Sequence, residues 1–132
     1  MMVLDASVLV EVLLNRPSAA RLVHRLLDPA ETLHVPHLID LEVVQALRRY
    51  QASGEMPAQR AHQAFQAFAQ MPLERHPHWP FLDRIWELRR NLTAYDAAYV
   101  ALAEALDAPL LTCDRALASA PGHRAHVKLI EG

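Results

Sequence analysis

Short, continuous apolar runs alternate along the chain with longer stretches in which apolar positions recur every three or four residues. A continuous run that ends in a polar residue is typical of a buried parallel strand. This pattern predicts a buried strand at MVLD. Further strands are predicted at TLHVP, PLERHP, PLLTC and HVKLI. The other stretches have the periodicity of a helix face. They are SVLVEVLL, SAARLVHRLLD, PHLIDLEVVQALRRYQASG, PAQRAHQAFQAFAQM, FLDRIWELRRNL, TAYDAAYVALAEALDA and DRALAS.

Two of these helices have recognisable boundary signals. Pro36 stands at the start of the longest helical pattern and Gly54 just past its end, which is the usual asymmetry of proline and glycine at helix ends. Ser18, which follows Pro17, is expected to open the second helix.

The alternation of strands and helices predicts an α/β fold. We expect a three-layer α/β/α sandwich with a central, mainly parallel sheet, formed by a single domain over residues 1–132. In such sheets the reactive crevice lies outside the carboxyl ends of the strands. Asp5 and Asp114 stand at that end of the first and fourth predicted strands, so they share a crevice if those strands are neighbours.

Composition narrows the class of protein. The chain has 132 residues, 52% hydrophobic and 21% charged, which is typical of a globular protein and not of a disordered one. No apolar run approaches the roughly 20 residues that span a bilayer, and the N-terminus lacks a leader pattern, so we expect a cytoplasmic protein without a membrane segment. The single cysteine excludes an internal disulfide framework. The net charge of −2 argues against a surface that is basic throughout.

Three aspartates have a structural interpretation when each is taken alone. Asp5 and Asp114 precede helices and fit as N-caps, which typically contribute about 1 kcal/mol to stability. Thr93 and Asp96 have the spacing of a capping box, in which each side chain accepts a hydrogen bond from a backbone amide of the other.

Glu42 is harder to explain as a surface acid. It lies beside Ile39 and Val43, near the edge of the apolar stripe of the longest helix. A carboxylate that faces the core needs a partner, because burying an unpaired charge costs several kcal/mol. Arg49, Arg21 or a shared metal ion could each meet that need.

Taken together, the four acids predict a metal site. Asp5, Glu42, Asp96 and Asp114 would repel one another in one crevice, and a divalent cation would relieve the repulsion. Carboxylate oxygens favour Mg²⁺ or Mn²⁺, and one or two such ions suit phosphodiester hydrolysis. The hydroxyls of Ser7 and Thr112 flank these acids and are expected to orient them.

Other conspicuous residues predict no site. The tryptophans, Trp79 and Trp86, are expected in the core or an interface. The eight histidines include HPH and HRAH, which are too short for a zinc helix of the H-E-x-x-H type, so we interpret them as surface or satisfied histidines. Solvated helix faces or termini are expected for Glu31, Glu55, Asp83, Glu87, Glu104 and Asp107.

Several motifs together resemble one protein family. The segments VLDASVLVEVLL, VPHLIDLEVVQALRR and LTAYDAAYVALAEALDAPLLTCDRAL are similar to PIN-domain proteins, specifically the VapC toxins of bacterial toxin–antitoxin pairs. The resemblance covers nearly the whole chain. It implies a metal-dependent endoribonuclease whose acidic cluster is carried by Asp5, Glu42, Asp96 and Asp114.

The resemblance also implies supporting residues and partners. Ser7, Thr112 and Thr93 would be supporting hydroxyls, and Arg115 would contact a phosphate of the RNA substrate. Cys113 is interpreted as a core thiol and not as a nucleophile. The expected partners are RNA, a small VapB-type antitoxin and a second copy of the chain, giving a homodimer and a heterocomplex with the antitoxin.

Two readings from other classes remain open at this point. The first is a phosphoryl-transfer or signalling α/β domain in which Asp5 is phosphorylated. An aspartyl-phosphate hydrolase would usually carry a second aspartate two residues after Asp5, where this chain has Ser7. A receiver domain would need a lysine at a later strand end, but the only lysine, Lys128, lies inside the last predicted strand. A PIN-like scaffold that binds RNA or a partner without cutting is the other alternative.

Overall fold

A five-stranded parallel sheet forms the centre of the protein. The computed structural model describes residues 1–131. Its strands lie in the order β3-β2-β1-β4-β5, and every neighbouring pair is parallel. They are β1 (Met2–Leu4), β2 (Leu33–Pro36), β3 (Leu73–His76), β4 (Leu110–Thr112) and β5 (Val127–Leu129). The five predicted strands and the parallel sheet are confirmed.

Seven α-helices flank this sheet and complete the α/β/α sandwich. They are α1 (Ala6–Leu13), α2 (Ala20–Leu26), α3 (Ile39–Ala52), α4 (Ala58–Ala69), α5 (Leu82–Glu87), α6 (Ala94–Leu106) and α7 (Arg115–Ser119). Helix α6 packs against β1, β2 and β4, and α5 packs against α6. Helix α1 contacts β4 and is itself packed against α3 and α4.

Strand β1 lies at the centre of the sheet and explains why the site forms where it does. Its residues are fully buried, as expected for a strand that has neighbours on both sides and helices on both faces. Leu4 is paired with Leu111 of β4. The residues that follow this pair, Asp5 and Thr112, therefore emerge side by side at the carboxyl edge of the sheet.

Three predicted helix boundaries are wrong. Pro36 ends β2 and does not begin α3, because the chain makes a further turn before Ile39. The second helix is preceded by a 3-10 turn over Pro17–Ala19, and the Ser18 hydroxyl donates to Glu11 Oε2 (2.7 Å) and caps no helix. The helix predicted over FLDRIWELRRNL is limited to α5, after a 3-10 turn at Trp79–Phe81.

Both tryptophans are exposed, whereas one acid expected at the surface is buried. Trp79 and Trp86 are 77% and 66% exposed, which excludes the core and leaves an interface as the remaining prediction for them. Glu104 is not a solvated acid: only 5% of its side chain is exposed. Arg84 of α5 donates two hydrogen bonds to its carboxylate (2.7 and 3.0 Å), and the backbone N–H of Arg124 donates a third (2.7 Å). Glu104 thus joins α6, α5 and the segment before β5.

No helix within residues 1–131 is long and apolar enough to cross a bilayer.

Replacing Glu104 tests this internal ion pair. Glu104→Gln should lower the free energy of unfolding by about 2–3 kcal/mol, less than for a fully buried pair because Arg84 is partly open to solvent. Arg84 lowers the pKa of Glu104. The stabilisation is therefore present above the unfolded pKa of about 4.3 and is lost as the pH falls through the folded pKa.

Urea denaturation at pH 7 and near pH 2 measures both effects. The matched control is Glu87→Gln, since Glu87 also pairs with Arg84 (3.1 Å) but is exposed; it should change stability by less than about 0.5 kcal/mol. Equal losses for the two variants would contradict the structural role of Glu104.

Candidate active site

Asp5 is a buried carboxylate held by two hydroxyl groups. It is 7% exposed, and Thr112 Oγ1 and Ser7 Oγ both donate to its Oδ2 atom, at 2.7 and 2.8 Å. Asp5 occupies the N-cap position of α1, but its side chain makes no capping hydrogen bond. The interpretation of Asp5 as a simple cap is therefore wrong. Both hydroxyls donate to Oδ2, and neither occupies Oδ1.

The two hydroxyls are themselves oriented by the backbone after β4. The N–H of Cys113 donates to Ser7 Oγ (3.0 Å), and the N–H of Asp114 donates to Thr112 Oγ1 (3.0 Å). Each oxygen that accepts from the backbone can direct its own proton to Asp5. Ser7 and Thr112 thus hold the Asp5 carboxylate in one orientation, and both lie beside it as expected from the sequence.

Glu42 is held by a tyrosine. The hydroxyl of Tyr99 donates to Glu42 Oε1 at 2.6 Å, and Tyr99 is fully buried in α6. Neither Arg49 nor Arg21 forms an ion pair with Glu42 among the described residues. The sequence pattern did not single out Tyr99, so this contact was not predicted. The available signal was its position three residues after Asp96, which places both side chains on one helix face.

Asp96 lies in the first turn of α6 and is half-buried. Its backbone N–H donates to Thr93 Oγ1 (3.1 Å), so Thr93 is the N-cap of the helix. The reciprocal bond of a capping box, from the Thr93 N–H to the Asp96 carboxylate, is absent from the described residues. Thr93 supports the site through this cap and is not among the residues that line the pocket.

Asp114 combines two roles that sequence analysis treated as alternatives. Its Oδ1 atom accepts from the backbone N–H groups of Ala116 and Leu117, at 2.9 and 3.4 Å, and so caps α7. Its Oδ2 atom has no part in the cap, and the residue is exposed at the pocket. One carboxylate can therefore both begin the helix and offer an oxygen to a ligand.

The four acids line one open pocket of about 890 Å³. Five chain segments meet here: β1, α1, α3, α6 and the end of β4. Other polar or aromatic side chains around the pocket are Glu11, Gln45, Arg49, Tyr50, Ser53, Glu55 and Tyr95. Two further acids thus line the pocket. Glu55 was expected at a solvated helix terminus, and Glu11, which was not singled out from the sequence, accepts from Arg16 and Ser18 (2.9 and 2.7 Å).

The negative charge of each acid disfavours ionisation of its neighbours, and burial acts in the same direction. Burial raises the pKa of Asp5 above its ordinary value, and the charge of Asp114 adds to the rise, although the hydrogen bonds from Thr112 and Ser7 oppose it. Burial raises the pKa of Glu42 and of Asp96 as well, and in both the charge of Asp5 contributes. The pocket is therefore a region of concentrated negative potential that a cation would relieve.

The donor set fits a hard divalent cation. Oxygen ligands from carboxylates are those that Mg²⁺ and Mn²⁺ prefer. Within residues 1–131, no three of the four carboxylates bring oxygen atoms within 4.8 Å of one another. Mg²⁺ usually retains several waters and binds only one or two carboxylates directly, so this wide spacing suits it better than an ion that needs a complete protein cage.

Two further predicted residues lie at the edge of this arrangement. Arg115 extends away from the pocket and pairs with Glu131 (2.8 Å), and its side chain is exposed. Cys113 lines the pocket and packs against the core. Burial raises the pKa of its thiol, which disfavours the reactive thiolate. This environment agrees with an inert thiol.

Comparison with known proteins identifies the fold family. A sequence model of the PIN domain matches residues 2–123. The chain is 43% identical over 129 residues to "Ribonuclease VapC1" of Mycobacterium tuberculosis, covering 97% of this chain and 96% of that protein. It is 44% identical over 114 residues to "VapC ribonuclease Mb0985" of Mycobacterium bovis, covering 86% of each. It is 40% identical over 130 residues to "Ribonuclease VapC12" of Mycobacterium tuberculosis, covering 98% and 99%.

Solved structures agree on the architecture. VapBC2 from Rickettsia felis, bound to a promoter DNA fragment, superposes with a TM-score of 0.68 at 14% identity and 98% coverage of both chains. A toxin–antitoxin complex from Klebsiella pneumoniae also has a TM-score of 0.68, at 18% identity, covering 99% of this chain and 98% of that one. The chain therefore belongs to the PIN-domain family and, within it, to the VapC ribonucleases.

Removing one of the repelling charges should stabilise the metal-free protein. The pKa of Asp96 is raised in the folded protein, so the fold favours the protonated side chain. This contribution to stability is complete below the unfolded pKa of about 3.9 and is lost as the pH rises through the folded pKa. With EDTA at pH 7, Asp96→Asn should therefore melt about 2–4 °C higher than wild type. Near pH 3 the two proteins should have the same melting temperature.

Thermal melts of both proteins with EDTA and with excess Mg²⁺ provide the measurement. Added Mg²⁺ should stabilise wild type more than Asp96→Asn. The control is Asp83→Asn, an exposed acid outside the pocket, which should melt within about 1 °C of wild type. A lower melting temperature for Asp96→Asn at pH 7 would contradict the repulsion.

Proposed function

We propose that this chain is a VapC-type toxin, a metal-dependent endoribonuclease that hydrolyses RNA phosphodiester bonds and is neutralised by a VapB-type antitoxin. The observation that carries the proposal is the convergence of Asp5, Glu42, Asp96 and Asp114 on one pocket. These acids come from separate parts of the sequence and meet at the carboxyl edge of a PIN-domain sheet.

The acids would hold one or two Mg²⁺ or Mn²⁺ ions. When bound, such ions activate water and stabilise negative charge on the oxygens around a phosphodiester. The protein supplies orientation. Ser7 and Thr112 fix the rotamer of Asp5, and Tyr99 fixes Glu42. The cap by Thr93 sets the first turn of α6, from which Asp96 projects.

RNA binding would depend on a few side chains at the mouth of the pocket. Arg49 lines the pocket and can contact a phosphate, while Tyr95 lines it with an exposed ring. Unpaired RNA bases stack on such rings. Arg115 is proposed to reach a phosphate after its ion pair with Glu131 breaks. That ion pair is exposed, so breaking it costs little free energy. Because these contacts neutralise phosphates, binding should weaken as salt increases, and with so few cations that dependence should be shallow.

The partners are proposed from the relatives. Two similar folds belong to a toxin–antitoxin complex and to VapBC2. A small VapB-type antitoxin is therefore the proposed inhibitor of this chain, in a heterocomplex. A homodimer is also proposed, and exposed apolar side chains such as Trp79, Leu82 and Trp86 offer surface for a protein contact.

Cleavage of a labelled, structured RNA tests the proposal. Wild-type protein should cut with Mg²⁺ or Mn²⁺ and stop with excess EDTA. Asp5→Asn should retain the fold and reduce the rate by more than the ~10–100-fold effect of outer partners, because it changes a proposed ligand itself. Asp83→Asn is the control and should cut like wild type.

The same assay separates the nuclease from an inert scaffold. Metal-dependent cleavage that disappears in Asp5→Asn supports the enzyme. Wild-type protein that protects the RNA from an added nuclease but never cuts would favour the binding scaffold. Equal cleavage by wild type and Asp5→Asn would contradict the assigned site.

Tyr99→Phe tests the orientation of Glu42 separately. Loss of the hydroxyl removes the hydrogen bond to Glu42 but keeps the ring in the core. The affinity for Mn²⁺ should fall about 10-fold, and a higher Mn²⁺ concentration should restore most of the cleavage rate. An activity loss that Mn²⁺ does not restore would show that Tyr99 acts by another route.

A further inference from the structure

A second group of metal-ligating side chains lies away from the acidic pocket. Within residues 1–131, the one group of three or more His, Cys, Asp or Glu side chains whose ligand atoms all lie within 4.8 Å of one another is His34, Glu74 and His76. None of the three lines the acidic pocket. Nothing in the proposed nuclease mechanism uses them.

The strand pairing brings these side chains together. His34 of β2 is the register partner of Glu74 in β3, so the two project from the same face of the sheet. His76 follows Glu74 by two residues and shares that face, because side chains alternate along a strand. His34 Nδ1 lies 2.8 Å from His76 Nε2 and 3.5 Å from Glu74 Oε2.

The buried member of the group is oriented by a hydroxyl. His34 is 5% exposed, and its Nε2 atom lies 2.9 Å from Thr32 Oγ1. When Nε2 donates to Thr32, the lone pair of Nδ1 is directed at His76 and Glu74. A histidine whose second nitrogen is hydrogen-bonded in this way is the usual arrangement at metal sites.

The donors select the class of metal. Two imidazole nitrogens and one carboxylate oxygen suit Zn²⁺, whereas Mg²⁺ prefers oxygen ligands alone. Nitrogens on one tetrahedral zinc ion lie about 3.3 Å apart, so His76, which is half-buried, would move by about 0.5 Å. Glu74 is exposed, which leaves solvent free to supply a fourth ligand.

We propose that His34, Glu74 and His76 form a Zn²⁺ site that joins the edge strand β3 to β2. The edge strand has a neighbour on one side only, so a zinc ion on both strands would stabilise the sheet where it is least supported. The same segment anchors the start of α3, because His76 O accepts from the N–H of His37 (2.8 Å). The site is distinct from the acidic pocket and independent of the proposed nuclease activity.

Zinc titration of the full-length protein tests the proposal. The protein is stripped with a chelator, desalted and titrated with zinc chloride in excess Mg²⁺, which competes with zinc for the carboxylates of the acidic pocket. Calorimetry should show one zinc per chain, with a Kd of about 10 µM or tighter, and a higher melting temperature with zinc bound. The ring ¹⁵N signals of His34 and His76 should shift together.

Two variants and a control decide the outcome. His76→Gln and Glu74→Gln should each weaken zinc binding by at least about tenfold; Glu74 is exposed, so its replacement leaves the core unchanged. His24→Gln, an exposed histidine on α2, should bind zinc like wild type. Equal affinity in His76→Gln and His24→Gln, or no binding by wild type at about 100 µM zinc, would overturn the proposal and leave His34 and His76 as a hydrogen-bonded pair.

Discussion

The arrangement of the site depends on the hydrogen bonds that hold the Asp5 carboxylate at the carboxyl edge of the sheet. Asp5 follows the fully buried central strand, β1, and Thr112 and Ser7 donate to one of its oxygens. Burial alone would favour the neutral acid, and the two hydroxyls oppose that tendency. Because Leu4 is paired with Leu111, the same register that forms the core also delivers Thr112 to Asp5. The position of the site is therefore a consequence of the pairing of β1 with β4.

The other acids are arranged around this fixed carboxylate at a cost in stability. The charge of Asp5 contributes to the raised pKa of both Glu42 and Asp96, so the metal-free pocket opposes folding at neutral pH. A well-packed interior offsets this cost, since seven successive residues of α6, from 97 to 103, are buried. The same helix provides Asp96 to the pocket and Tyr99 to Glu42. Stability and site geometry are thus linked through α6.

Most of the fold and the acidic cluster could be predicted from sequence because both follow from local patterns. Apolar runs identified the strands, and strand ends and a helix face identified the acids. The contacts between distant segments could not be predicted. Glu104 has the sequence context of a surface acid, and only the packing of α5 on α6 brings Arg84 to it. Likewise, His34 and His76 are 42 residues apart and meet only through the pairing of β2 with β3. No spacing motif records such a pair.

The most direct test of the metal site is a crystal structure of the protein grown with Mn²⁺, with an anomalous difference map calculated at the manganese edge. We predict an anomalous peak in the pocket within ligand distance of Asp5, with Asp114 or Asp96 as a further ligand or bound through water. The same crystals of Asp5→Asn should show a much weaker peak. A pocket without anomalous density in wild-type crystals, or a peak that persists unchanged in Asp5→Asn, would contradict the assignment of these acids to a metal-dependent nuclease.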